Sequence, residues 1–302
     1  GLNPCASIKA SFEKIKGLGL SEPNELEEIA RSLAKSECSD NREMLLTLAI
    51  LQNKYAPDTL EKTLSRSAGV TEFFGKIILA DLSSNADLNS LNPITAELAA
   101  SAALSTNPSA YTKLLLALAD TDKFKTPMVL YAAGISGADC APDKAIKLLM
   151  DASTLQQKQK SMFLDIEAYR IAEQAAQLAD KFFSDKNKYI DCDVAIAAFD
   201  NYTRIAADKT TEQMQYFYGL LLRNCGKIED ASEIFDRLAN GPNSIWKDAS
   251  SLELLKIKIK SAPEKTLPQL RNFILNCSGQ DELKLSHRLE AMDIYCRPIL
   301  GS

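Results

Sequence analysis

Glycine and proline are scarce in this chain, at 12 and 11 of 302 residues. Tight hairpin turns and phosphate-cradling loops need glycines at fixed places. Gly17-Leu18-Gly19 lacks both a following Lys-Ser/Thr and a strand before it, so no such loop is expected. Histidine is scarcer still: His287 stands alone. One histidine removes the common zinc arrangements, and no Cys-x-x-Cys pair takes their place. His287 sits among Lys284, Arg288 and Glu290 and reads as a solvated surface imidazole. No motif frames a Ser/His/Asp or Cys/His triad, and paired carboxylates such as Glu27-Glu28 read as a solubilising helix side. No metal, no cofactor and no enzymatic activity are expected. The candidate helices all carry charges, so none reaches the ~18 to 20 apolar residues of a membrane span. Positive charge is also short: 35 Lys+Arg against 40 Asp+Glu leave a net −5, which argues against nucleic acid as a partner. The one dense basic run, Lys256-Ile257-Lys258-Ile259-Lys260, alternates and reads as a solvated helix face.

Helix-tolerant residues dominate instead: Ala, Leu, Lys, Glu and Ser. Periodicity and breakers predict about sixteen helices and no strand. They fall near 7–18, 23–37, 40–53, 57–67, 70–83, 92–104, 108–119, 126–137, 142–153, 156–184, 191–207, 210–224, 228–239, 244–261, 266–277 and 281–297. Ser21-Glu22-Pro23, Asn92-Pro93, Asn107-Pro108, Thr126-Pro127, Ala141-Pro142 and Leu267-Pro268 place proline where a first helical turn accepts it. A helix pair every ~38 residues lies close to the ~34 to 47 of known helix-pair repeats.

The stretch from Gln213 to Asn243 is the most regular. An apolar helix carrying Gly219 runs into an Asn224-Cys225-Gly226 turn, then a second helix places Ala231 and Phe235 one turn apart, and Gly241-Pro242 ends it. Small residues at Gly219 and Ala231 allow close approach, with Phe235 filling the space beside them. Asp139-Cys140 leads likewise to Ala145 and Leu149, and Asp191-Cys192 to Ala195 and Phe199. Ala145, Ala195 and Ala231 are therefore expected at close helix contacts. The long helix 156–184 is taken to explain the wider first interval between them.

This pattern resembles the tetratricopeptide repeat. Gly219, Ala231 and Phe235 match its small and aromatic positions, while Gln215 replaces an early aromatic and Pro242 falls one residue early. The resemblance implies an all-α, right-handed α-solenoid of antiparallel helix pairs, a TPR-like superhelix. Residues 1–120 would hold divergent hairpins with a cap near 1–37, and 121–302 the TPR-like repeats with a capping helix near 281–297, since solenoid ends need polar outer faces. It also implies a concave groove lined by first helices, which puts Gln213, Tyr216, Leu220, Arg223 and Asn224 on that surface. The family's clamp for C-terminal carboxylates uses Lys and Asn where Tyr216, Phe217 and Leu220 stand here, so an aromatic-rimmed groove is expected. The expected function is a non-catalytic scaffold or adaptor binding a protein or peptide. The alternative is an exported helical-repeat protein handling glycan or cell-envelope polymer.

Seven cysteines, at 5, 38, 140, 192, 225, 277 and 296, leave at least one unpaired. Cys5 precedes the first predicted helix and Cys38 follows the second, so a hairpin would bring both to one end. A disulfide closing that ~33-residue loop would contribute ~3 kcal/mol. Bonded and free readings both stay open for this pair, and the other cysteines are expected to be small buried hydrophobes. The start at Gly1-Leu2-Asn3-Pro4, without Met, reads as a trimmed terminus. Export to a bacterial periplasm or the medium is preferred over the cytoplasm, and oligomeric state stays open.

Overall fold

Proline and small polar residues set the helix starts. In the computed structural model Pro93, Pro127, Pro142 and Pro263 each open a helix, where a missing N–H costs nothing. Thr126 and Thr211 cap theirs by accepting from the N–H groups of Val129 and Met214, and Asp191 accepts from Asp193, satisfying donors the helix leaves open. The residues described are 91–300, apart from 92, 162, 186–189, 243–244, 278–281 and the side chains of 297–300, together with Ala10, Gly75, Lys76, Ile78, Leu79, Leu82, Ser83 and Leu88.

Among these residues the fold is all-α, with eleven helices and no strand. They are α1 (Pro93–Thr106), α2 (Thr112–Asp120), α3 (Pro127–Gly137), α4 (Pro142–Lys158), α5 (Ala168–Ser184), α6 (Cys192–Ala206), α7 (Glu212–Asn224), α8 (Ile228–Ala239), α9 (Ile245–Ser261), α10 (Pro263–Asn276) and α11 (Glu282–Leu300). Of the five helices expected before residue 84 only Ala10, Gly75, Lys76, Ile78, Leu79, Leu82 and Ser83 are described, all helical, and the Cys5–Cys38 pair lies outside the described residues. The chain divides into two units, one ending at Leu178 and one starting at Ala179.

In the first unit α3 is the central rod. Every residue from Pro127 to Gly137 except Ile135 is buried, because α1, α2 and α4 all pack on it. Its small residues set how closely they come. A Cβ on Gly134 would lie 2.7 Å from Leu149 Cγ and 3.1 Å from the Ala145 carbonyl oxygen. Leu115, Leu118, Phe124, Val129, Leu149 and Ile171 fill the surrounding core.

In the second unit each helix from α6 to α11 packs on the next, and α9 also touches α7 and α11. The α7–α8 contact repeats the small-against-large device: Gly219 faces the fully buried Phe235. Gly226, at φ +78°, closes the turn between them in the left-handed region that glycine tolerates. It lets the Lys227 N–H reach back to the Leu222 carbonyl. Ala145, Ala195 and Ala231 are all 0 % exposed, as the repeated spacing predicts.

Three local expectations are corrected. The continuous helix 156–184 does not form: α4 runs on to Lys158 and α5 starts at Ala168. Gln156 is the cause, since its buried amide donates to the Leu164 and Ile166 carbonyls and accepts from the Ser161 N–H. One side chain thus holds an irregular segment in place of backbone bonds. The 108–119 helix splits into a 3-10 turn (Pro108–Tyr111) and α2. Helix α10 starts at Pro263, so Pro268 lies inside it, beyond the first turn where a missing N–H costs nothing.

The cysteines are corrected too. Cys192 and Cys225 are bonded, with Cα atoms 5.8 Å apart, because the start of α6 lies beside the end of α7. Among the described residues Cys140 and Cys296 are exposed free thiols and Cys277 is a buried one.

Candidate functional site

Helix α7 organises the second unit because its faces meet different neighbours. Met214, Gly219, Leu221 and Leu222 are buried. The face expected to line a groove carries Tyr216, Leu220 and Arg223, all half-buried, with Gln213 and Asn224 exposed at its ends. Tyr216 packs within ring distance of Phe217, Phe235 and Trp246. Leu220 joins the Leu222–Phe235–Leu254 cluster. Arg223 is ion-paired to Glu253 of α9, a carboxylate only 5 % exposed. Lys256 reaches the same carboxylate at 2.7 Å and Glu290 of α11 at 2.5 Å. The Arg223 charge is therefore compensated internally. Lys256, from the basic run expected to be solvated, ties α9 to α11.

An open concavity lies on another side of α7. A cavity of about 550 Å³ is bounded by the end of α6, by α7 and by α8, with Thr203, Ala207, Thr210, Gln215, Tyr218, Leu222, Asp230, Glu233, Ile234 and Arg237 around it. That volume is within the ~300–1,000 Å³ of small-ligand and side-chain pockets. Asp230, Glu233 and Arg237 sit at i, i+3 and i+7 on α8, so one face of that helix turns toward the space. All three are exposed, and no ion pair among the described residues involves them. Opposite, the Tyr218 hydroxyl donates to Asp200 at 2.5 Å. Its ring stacks on Phe199 with centroids 5.2 Å apart and planes 5° apart. Burial, the Asp200 bond and the Asp200 and Asp230 charges push the Tyr218 phenol far up, so it stays a neutral donor at any physiological pH. Thr203 and Thr210 spend their hydroxyl protons on the Phe199 and Ala207 carbonyls.

Ala207, at the rim, adopts φ +46°, a backbone region costly for a residue with a Cβ. It turns the chain sharply between α6 and α7 and so helps open the cavity mouth.

Sequence reasoning points to the Tyr216 face and passes over Asp200, Tyr218, Asp230, Glu233 and Arg237. A signal existed, since Asp230, Glu233 and Arg237 share one helical face in Ile228–Ala239. His287, expected in solvent, is half-buried with a buried Nδ1 that meets no partner. Burial draws its pKa down, opposed by Glu290 and Asp248 and aided by Lys256. No group of three His, Cys, Asp or Glu side chains that would hold a metal ion occurs among the described residues, and no described helix is long and apolar enough to cross a membrane. Compared with protein-family models, curated proteins and solved structures, the chain matches none.

Proposed function

We propose that this chain is a non-catalytic helical-repeat scaffold, its helix pairs stacked as a TPR-like solenoid, that binds a protein or peptide segment in the α6–α7–α8 cavity. The observation that carries the reading is the cavity's lining: an aromatic ring, its hydroxyl held by Asp200, on one side, with two carboxylates and one guanidinium unpaired on the other. Those groups suit an extended peptide bearing a basic side chain, with Asp230 and Glu233 taking its cation and Arg237 a carboxylate nearby. The packing of α9 on both α7 and α11 supports the stacked-pair arrangement. The non-catalytic assignment draws on the chemistry of the lining. The Thr203 and Thr210 hydroxyls already donate to carbonyls, and the Tyr218 hydroxyl donates to Asp200.

A second reading is an exported protein that holds glycan or envelope polymer. It draws on the Cys192–Cys225 bond, which persists in oxidising compartments, and on the aromatic ring set beside carboxylates.

Calorimetric titration separates the two. Short basic peptides should bind the intact chain, acidic ones should not, and Glu233→Gln combined with Asp230→Asn should weaken binding at least tenfold. Binding of neutral oligosaccharides, with no response to peptides, would move the assignment to the second reading. Peptide binding unchanged by the double substitution would remove this cavity as the site.

A further inference from the structure

Tyr218 lines the α6–α7–α8 cavity with its polar end already committed. Its hydroxyl donates to Asp200 and so has no proton to offer a ligand. One face of its ring is stacked on Phe199, itself 0 % exposed. The half-buried ring can therefore present only its other face and its edge to the cavity. Phe199 and Asp200 are successive residues of α6, so one short piece of helix holds the ring in place at two points. Among the described residues no lysine or arginine stacks on it. A phenol that donates to a carboxylate gains electron density in its ring, which strengthens the attraction of its face for a cation.

Two kinds of group share the lining with this ring. Asp230 and Glu233 stand one turn apart on α8 and are exposed, and Asp230 is near enough for its charge to help hold the Tyr218 phenol up. Leu222, one turn beyond Tyr218 on α7, and Ile234 on α8 add apolar surface. Acids alone would hold any cation alike, whereas a fixed π face beside them distinguishes two cations of equal charge. A guanidinium is planar and weakly hydrated, so it can lie on the ring while the N–H groups along its edge donate in pairs to a carboxylate. Its methylene stem then covers apolar lining. An ammonium is compact and strongly hydrated, and it has no plane to match the ring.

We infer, on the peptide-binding reading of this cavity, that the side chain it takes is an arginine, stacked on the open face of Tyr218 and paired with Asp230 or Glu233. The ring separates arginine from lysine, and the acids separate it from neutral side chains.

Calorimetric titration of the full chain with two blocked pentapeptides, identical except for arginine or lysine at the centre, tests this. The arginine peptide should bind at least fivefold more tightly. Tyr218→Leu should bring that ratio below twofold, while Tyr218→Phe, which keeps the ring, should hold it at threefold or more. Helical circular dichroism checks that both variants fold, and should Tyr218→Leu lose its helices, the wild-type ratio and Tyr218→Phe decide. Equal affinities for the two peptides, both lost when Asp230→Asn is combined with Glu233→Gln, overturn the arginine preference and leave a basic-peptide site standing. A ratio that survives Tyr218→Leu, or vanishes in Tyr218→Phe, overturns the stacked geometry. Failure of both peptides to bind, or binding indifferent to the double substitution, removes the site and the preference together.

Discussion

Two glycines show how far single residues decide this fold, and they respond to the same substitution in opposite ways. Alanine is better than glycine in a helix by up to ~1 kcal/mol. At Gly219 that gain meets a Cβ placed 2.6 Å from Phe235 Cε1, on a ring that is 0 % exposed and held on all sides. Overpacking of this kind costs ~1 to 3 kcal/mol, so Gly219→Ala should destabilise by about 1 kcal/mol net. At Gly137, by contrast, the nearest atom would be Leu116 Cδ2 at 3.5 Å, an ordinary contact. Gly137→Ala should be neutral or stabilising by about 0.5 kcal/mol. Urea denaturation of both variants checks the pair, and equal signs would mean the helices separate more readily than their packing implies. Gly219, Ala231 and Phe235 were legible because a small residue, a small residue and a ring stand in an otherwise ordinary helical pattern. Gly134 performs the same role against Leu149, yet it is hidden in Tyr131-Ala132-Ala133-Gly134, where several small residues compete for the part. Ala207 was not legible at all, since nothing local announces a left-handed alanine.

At the scale of elements, the helix starts at Pro93, Pro127, Pro142, Cys192 and Glu212 were read within about two residues, the usual scatter of helix boundaries, whereas those at Thr112 and Pro263 were missed by three or four. The break between α4 and α5 was missed because it has no proline or glycine; a buried glutamine replaces backbone bonds from a distance of several residues. Charged side chains likewise act between elements in ways that spacing does not reveal. Glu253 joins α7 and α9 through Arg223, and Lys256 extends the set to Glu290 on α11. Glu253→Ala would strand the partly buried Arg223 and leave Lys256 with Glu290 alone, and about 3 kcal/mol of stability should be lost, as for other broken buried pairs. A loss under about 0.5 kcal/mol would show that water replaces the carboxylate at no cost. His287 belongs to the same neighbourhood and makes stability depend on pH. Burial lowers its pKa in the folded chain, whereas the unfolded imidazole takes up a proton near pH ~6.5. The unfolded state therefore binds more protons below that point, and stability should fall as pH drops from about 7, levelling off below the folded pKa. Urea midpoints at pH about 7.5 and 5.5 read this, and His287→Phe should shrink the difference. An undiminished difference would assign the pH response to other groups.

The molecule divides into two units, one ending at Leu178 and one starting at Ala179, and the second carries the Cys192–Cys225 bond. Helical content and the absence of a membrane-spanning segment among the described helices were legible from composition. The pairing of Cys192 with Cys225 was not, although its separation of 33 residues equals that between Cys5 and Cys38. Viewing the two as equivalent turn positions concealed that one opens α6 and the other follows α7, the same geometry considered for the first hairpin. A loop of that length contributes about 3 to 4 kcal/mol through the unfolded chain. Reduction should therefore weaken the second unit. The only tryptophan, Trp246, reports on the right unit, since it lies in the aromatic cluster with Tyr216 and Phe217. Its fluorescence transition should shift by about 2 M urea to lower denaturant when a reductant is added, given slopes of ~1 to 3 kcal/mol/M. Cys192→Ser combined with Cys225→Ser should reproduce the shifted transition and abolish its response to reductant. A midpoint indifferent to both treatments would mean that the α6–α7 packing holds without the bond. The preference for an oxidising compartment would then lose its support.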